Sequence, residues 1–181
     1  LDVGGYSSRP GAKEISINEE INRVIPVVKF LRKTYPELIL SVDTFRSKVA
    51  RNCLDLGVDI INDISAGCID KNILDVVAEY NCPYIMMHMK GTPQTMQINP
   101  EYENLIKELL IYFAKRIYLA REKGIIDIIV DPGFGFGKTL DHNYTIMKKI
   151  ENFKYLDLPI LVGISRKSLI TKHLVIDKKH S

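Results

Sequence analysis

An α/β fold around a parallel sheet is predicted for this chain, and three observations carry the prediction. Short apolar runs recur, each closing on a polar or ionisable residue; an amphipathic stretch of helical period follows each run after a loop; and no linker or low-complexity segment breaks the alternation. Six such run ends can be read, at 2–6, at Asp43, at Asn62 with Asp63, at Met87 with His88, at Asp131 and at 163–167. In a parallel βα architecture the carboxyl ends of all strands lie on one face, so residues distant in sequence converge on one pocket.

The elements follow in order. Ser16 with Glu19 three residues on forms a capping box, and Ile17, Ile21, Val24, Ile25, Val28 and Leu31 then share a helical face, with a kink expected at Pro26. A strand is predicted over 38–42, then a helix after Thr44 that buries Val49, Cys53 and Leu56 and stops at Gly57. Next come a strand over 58–62, a weaker helix over 71–80 and a strand over 83–87. Asn99 and Pro100 read as the N-cap and first residue of a long helix that aligns Tyr102, Ile106, Leu110, Phe113 and Ile117 and ends at Gly124. The β-branched run 125–130 is a buried strand, Asp141 is expected to cap the next helix, and 159–164 is the last strand. Six βα units fit an open, doubly wound sheet or an incomplete eight-unit barrel. The chain opens directly into a strand end and stops within an expected helix, which favours the incomplete barrel, one domain over residues 1–181.

Composition narrows the class. The chain has 181 residues, 46% hydrophobic and 26% charged, enough for one globular core. A net charge of +3 is too small to argue for nucleic acid or a membrane surface, and Lys172, Lys178 and Lys179 read as a solvated end. No apolar run approaches the ~20 residues that span a bilayer. Cys53, Cys68 and Cys82 are odd in number and lack a close Cys-x-x-Cys spacing, so they read as small buried residues in a reducing compartment, and a cytoplasmic location is expected.

The loops hold the chemistry. GGYSSRPGA at 4–12 offers two hydroxyls and the Arg9 guanidinium on a permissive backbone, suited to covering a substrate or simply to solvent. Asp43 closes a strand, where its carboxylate needs donors from a ligand, or where it or Thr44 caps the next helix. Only one of Asn62 and Asp63 can face the interior; the amide, both donor and acceptor, is the better reader of a heterocycle edge. Met86, Met87 and Met89 surround His88, either to pack sulfur on an aromatic ligand or to fill the core, and His88 is a base or a structural hydrogen-bonding group. DPGFGFGKT at 131–139 fits neither phosphate-loop template: Pro132 stands where a Walker A loop needs glycine, and the last two glycines are one residue too close for the dinucleotide fingerprint. Its glycines instead let backbone approach a ligand, with Phe134 and Phe136 presenting rings. GISRKS at 163–168 delivers Arg166 and Lys167, whose ammonium beside Asp43 and Asp131 would mark a site.

Taken together, GGYSSRPGA, SVDT, INDIS, MMHMKGTP, DPGFGFGKT and GISRKS resemble, in order and spacing, the motifs of the dihydropteroate synthases. The resemblance implies a TIM (β/α)8 barrel and a transferase of folate synthesis that joins para-aminobenzoate to a hydroxymethyl-dihydropterin pyrophosphate, releasing pyrophosphate. It implies that Asp43, Asn62, Asp131 and Lys167 hydrogen-bond the pterin edge with Ile64 and Met87 on its ring, and that Ser8, Arg9, Pro10, Phe136, Lys167 and Ser168 form the aminobenzoate side. Asp131 and Lys167 would carry the catalysis. It implies a homodimer and a magnesium ion, held with pyrophosphate by an N-terminal segment that this sequence does not include. The family's first-strand Asn and last-strand Arg and His are also absent, so the 181 residues alone are expected to be inactive. A pterin-dependent methyltransferase and a non-catalytic pterin-binding protein remain the alternatives.

Overall fold

The computed structural model describes residues 1–9, 11–96 and 100–165. Five parallel strands, β1 Asp2–Gly4, β2 Ser41–Asp43, β3 Ile60–Asp63, β4 Tyr84–Met87 and β5 Ile128–Asp131, lie side by side in chain order. Helices α1 Ile17–Thr34, α2 Ser47–Leu54, α3 Asn72–Tyr80 and α4 Leu105–Glu122 make the four crossovers; α5 Leu140–Lys148 and a 3-10 helix, Ile150–Leu156, follow β5. The sixth strand expected over 159–164 makes one parallel bridge, Val130 to Ile160. Val130 N donates to Pro159 O at 3.0 Å and Leu161 N to Val130 O at 2.8 Å. The next rung would need the N–H of residue 132, which is proline, so the ladder stops.

Register divides the sheet into two faces. Gly4, Asp43 and Asn62 stand opposite one another across β1 to β3, Asn62 is opposite Ile85, and Met87 is opposite Asp131. Alternation therefore puts Asp2, Asp43, Asn62, Met87 and Asp131 on one face, and Val42, Ile61, Asp63, Tyr84, Met86 and Val130 on the other. That second face lies under the helices: apart from Asp63, these residues belong to a single core with Val28, Val49, Cys53, Ile73, Val77, Leu109, Phe113 and Phe153. Complete burial of each aliphatic side chain there contributes about 1.5–3 kcal/mol.

Helix starts follow local chemistry more than the expected caps. Ser16 Oγ accepts from Glu19 N at 3.1 Å, while the Glu19 carboxylate turns to Arg23 at 2.9 Å instead of closing the box. Helix α1 runs unbroken through Pro26, which sits on the solvent side. Neither Asp43 nor Thr44 caps α2; Ser47 N donates to Asp70 Oδ2 at 2.8 Å. Helix α4 begins at Leu105, later than expected, because Asn104 accepts from Lys107 N and Glu108 reaches back to Asn104 N at 3.0 Å. Tyr102 accordingly precedes the helix. Thr139, and not Asp141, caps α5, sharing a reciprocal capping box with His142. Cys53 and Cys82 are buried, whereas Cys68 is exposed, its sulfur 3.7 Å from Tyr112 Oη, against the expectation for all three.

Candidate active site

Asp43 stands at the centre of the open face. Burial, then the neighbouring charges of Asp2, Asp63 and Glu20, push its carboxyl up to about 7. No hydrogen-bond donor among the described residues reaches that carboxylate. Beside it Asn62 Nδ2 donates to Asp2 Oδ2 at 3.2 Å, and Ser41 Oγ donates to the other oxygen of Asp2. Asp63, one residue on, points under the helices and accepts from Ser65 N (2.7 Å), Ser65 Oγ (2.8 Å), Gly67 N (2.7 Å) and Tyr84 Oη (2.6 Å). The amide and the acid are thus separated by strand alternation, the amide toward the pocket.

At the other side of the face, Asp131 is 8% exposed and its Oδ1 accepts from Gly133 N at 2.7 Å. The loop after it is locked onto the end of β4. Gly133 has φ +71° and a Cβ there would lie 2.1 Å from His88 O; at Gly137, with φ +60°, a Cβ would lie 2.8 Å from Lys90 O. The glycines expected to admit a ligand therefore admit a neighbouring loop. Lys138 completes the lock: buried, its Nζ lies 3.0 Å from His88 Nδ1 and donates to His88 O (3.2 Å), Gly133 O (2.9 Å) and Phe136 O (2.9 Å). Burial first, then the Lys138 charge, lower the His88 imidazole to about 2, so it is neutral and structural.

The apolar wall at this end is a cluster of its own: Phe45, Ile64, Met87, Met89 and Met96, with Tyr6 and Phe136 against it. Met86 and Phe134 are absent from it because both turn into the main core. Tyr6 meets Phe45 edge to face at 5.0 Å and receives a hydrogen bond from Gln94 at 2.8 Å, which anchors the start of the 4–12 loop. Ser8 is half-buried and Arg9 exposed, its carbonyl accepting from Ala12 N at 3.1 Å.

Several supporting residues escaped the sequence reading. Glu20, fully buried on α1, accepts from Thr44 Oγ1 at 2.7 Å and Arg46 Nη1 at 2.9 Å, and Arg46 lies over the rings of Tyr6 and Phe45. Its signal was its place four and eight residues before Val24 and Val28, on the core stripe. Tyr112 Oη reaches Ser65 O at 3.0 Å and Met87 O at 3.2 Å, tying two strand ends together. Pro10, Asn99, Arg166, Lys167 and Ser168, with Lys172, Lys178 and Lys179, lie outside the described residues. Among the described residues no three His, Cys, Asp or Glu side chains converge as metal ligands, and no helix is long and apolar enough to cross a membrane.

A parallel sheet with polar groups from successive strands aligned along one edge matches what sequence comparison finds: residues 1–180 match the family described as Pterin binding enzyme, and the chain belongs to that family. It is 44% identical over 176 residues to the dihydropteroate synthase of Synechocystis sp., covering 96% of this chain and 61% of that protein. To the dihydropteroate synthase of Escherichia coli K12 it is 44% identical over 172 residues, 94% of this chain and 60% of that one. Among solved structures, the Yersinia pestis dihydropteroate synthase with a sulfonamide drug superposes with a TM-score of 0.94 at 38% identity, over 99% of this chain and 65% of that one. The Xanthomonas albilineans enzyme with 4-aminobenzoic acid gives 0.91 at 36% identity, over 99% and 64%. The sheet and its crossovers are accordingly those of a (β/α)8 barrel. The chain spans about three fifths of the length of these curated relatives.

Proposed function

We propose that this chain forms the pterin and aminobenzoate pockets of a dihydropteroate synthase, which joins para-aminobenzoate to a 6-hydroxymethyl-dihydropterin pyrophosphate. The observation that carries the reading is the row Asp43, Asn62, Met87 and Asp131 on one face of the sheet, in a chain of the pterin binding enzyme family. A pterin has a polar edge of donors and acceptors. Asp43 and Asn62 pair with that edge, and Ile64 and Met87 cover the ring. A site built this way rejects poor analogues, since its own buried groups would go unpaired.

In the reaction the pterin methylene loses its bond to the pyrophosphate oxygen and gains one to the arylamine nitrogen, which gives up a proton. Asp131 faces the positive charge that develops on the methylene and stabilises it electrostatically. Ser8, Arg9, Pro10, Phe136, Lys167 and Ser168 form the aminobenzoate side, and Lys167 joins Asp131 in catalysis. The magnesium ion expected with pyrophosphate has no cluster of ligands among the described residues.

The test is pyrophosphate release by the intact protein, with and without para-aminobenzoate, in wild type, Asp43→Asn and Lys167→Ala. Amine-dependent release that falls about 100-fold or more in each variant supports the synthase. Pterin binding without amine-dependent release would replace it by a non-catalytic binding protein.

A further inference from the structure

We propose that Asp2 is a positioning residue that fixes the amide of Asn62 for pterin reading; the inference rests on the functional reading above. An amide side chain is nearly symmetric in shape, and its two ends offer opposite chemistry, two N–H donors or one carbonyl acceptor. Left alone, Asn62 could present either end, and the pocket would read two different heterocycle edges. Asp2 removes the choice. Its carboxylate oxygens accept, so the Asn62 amino group faces them, at 3.2 Å. The Asn62 carbonyl oxygen is then turned away from Asp2 as an acceptor.

The carboxylate is itself held. Ser41 Oγ donates to its second oxygen, and β1 is registered on β2 with Asp2 opposite Ser41, so the backbone ladder sets the distance. Ser41 and Asp43 share that face of β2, and Asp43 stands opposite Asn62. Asp2 thus acts on the ligand through Asn62.

The same carboxylate has a second effect. Its charge is one of those that raise the Asp43 carboxyl, after burial and alongside Asp63 and Glu20, while Arg46 pairs with Glu20 and offsets that charge. Removing Asp2 from a protein that already lacks the Asn62 amide separates orientation from charge.

The experiment uses the intact protein and 6-hydroxymethylpterin, titrated by its intrinsic fluorescence, in wild type, Asp2→Ala, Ser41→Ala, Asn62→Ala and the Asp2→Ala/Asn62→Ala double variant. Asp2 is exposed and its main-chain bonds to β2 do not involve the side chain, so Asp2→Ala retains the wild-type Tm. Its pterin Kd is expected to rise about tenfold, the loss of one oriented hydrogen bond. The KM for para-aminobenzoate at saturating pterin stays within about twofold, a split that a general structural defect would not give. Asp2→Ala has no further effect on Kd, within about twofold, in a protein that carries Asn62→Ala, and Ser41→Ala falls between Asp2→Ala and wild type. An unchanged Kd in Asp2→Ala overturns the assignment, as does an about tenfold loss that persists in the Asn62→Ala background, which would leave the charge as the agent. A wild type that binds no pterin overturns the functional reading itself.

Discussion

Asp43 and Asp63 end neighbouring strands and are both raised above the usual carboxylate range by burial, yet their surroundings are opposite. Asp63 accepts four hydrogen bonds from Ser65, Gly67 and Tyr84 on the helix side of the sheet. Asp43 accepts none among the described residues and looks onto the open face. The difference teaches how to tell a structural acid from a binding acid: the first has its donors supplied by the chain, and the second has them withheld, at a cost in stability.

The sharpest way to break the comparison is Asp63→Ala. It strips two buried hydroxyls and two buried N–H groups of their acceptor, and the loss of stability in urea denaturation should be about 3–5 kcal/mol. Lys138→Met comes next at about 2–4 kcal/mol, because the carbonyls of His88, Gly133 and Phe136 lose a donor together.

Asp43→Asn should go the other way. A folded pKa near 7 lies above the ordinary 3.8, so the group favours the fold below about pH 4 and that contribution is lost as pH rises through 7. The variant should therefore be about 1–2 kcal/mol more stable than wild type at pH 8 and no more stable at pH 4. Pterin affinity runs in the opposite sense. If the ionised carboxylate accepts from the pterin, as proposed, wild-type Kd should fall as pH rises through about 7, and calorimetric titration at pH 6 and 8 checks it. A Kd that does not move would detach Asp43 from the ligand. The smallest effect is Tyr84→Phe, about 1 kcal/mol, since Asp63 keeps its other donors.

Much of this was legible in the chain. Alternation alone separates Asn62 from Asp63, whereas the pairing of Asp43 with Asn62 and of Met87 with Asp131 is set by strand register, which the chain alone does not fix. What the chain hid was pairing across elements. Nothing local tells that Glu20 will meet Arg46, that Lys138 will thread under His88, or that the glycines after Asp131 serve a loop contact. Such pairs depend on distances set by the whole sheet. The start of α4 was misread for a related reason: Asn-Pro is a good local cap, but Asn104 with Glu108 is a better one, and the two compete only in the folded chain.

The exposure of Cys68 has a practical consequence. The Cys53 and Cys82 thiols are buried and raised by burial to about 12 and about 11, which keeps them from forming the reactive thiolate. A maleimide dye would therefore attach at Cys68, next to the Tyr112 hydroxyl that ties Ser65 to Met87. The molecule carries its own labelling point, one tyrosine away from Met87. Fluorescence from that dye would report occupancy of the pocket without altering any residue that lines it.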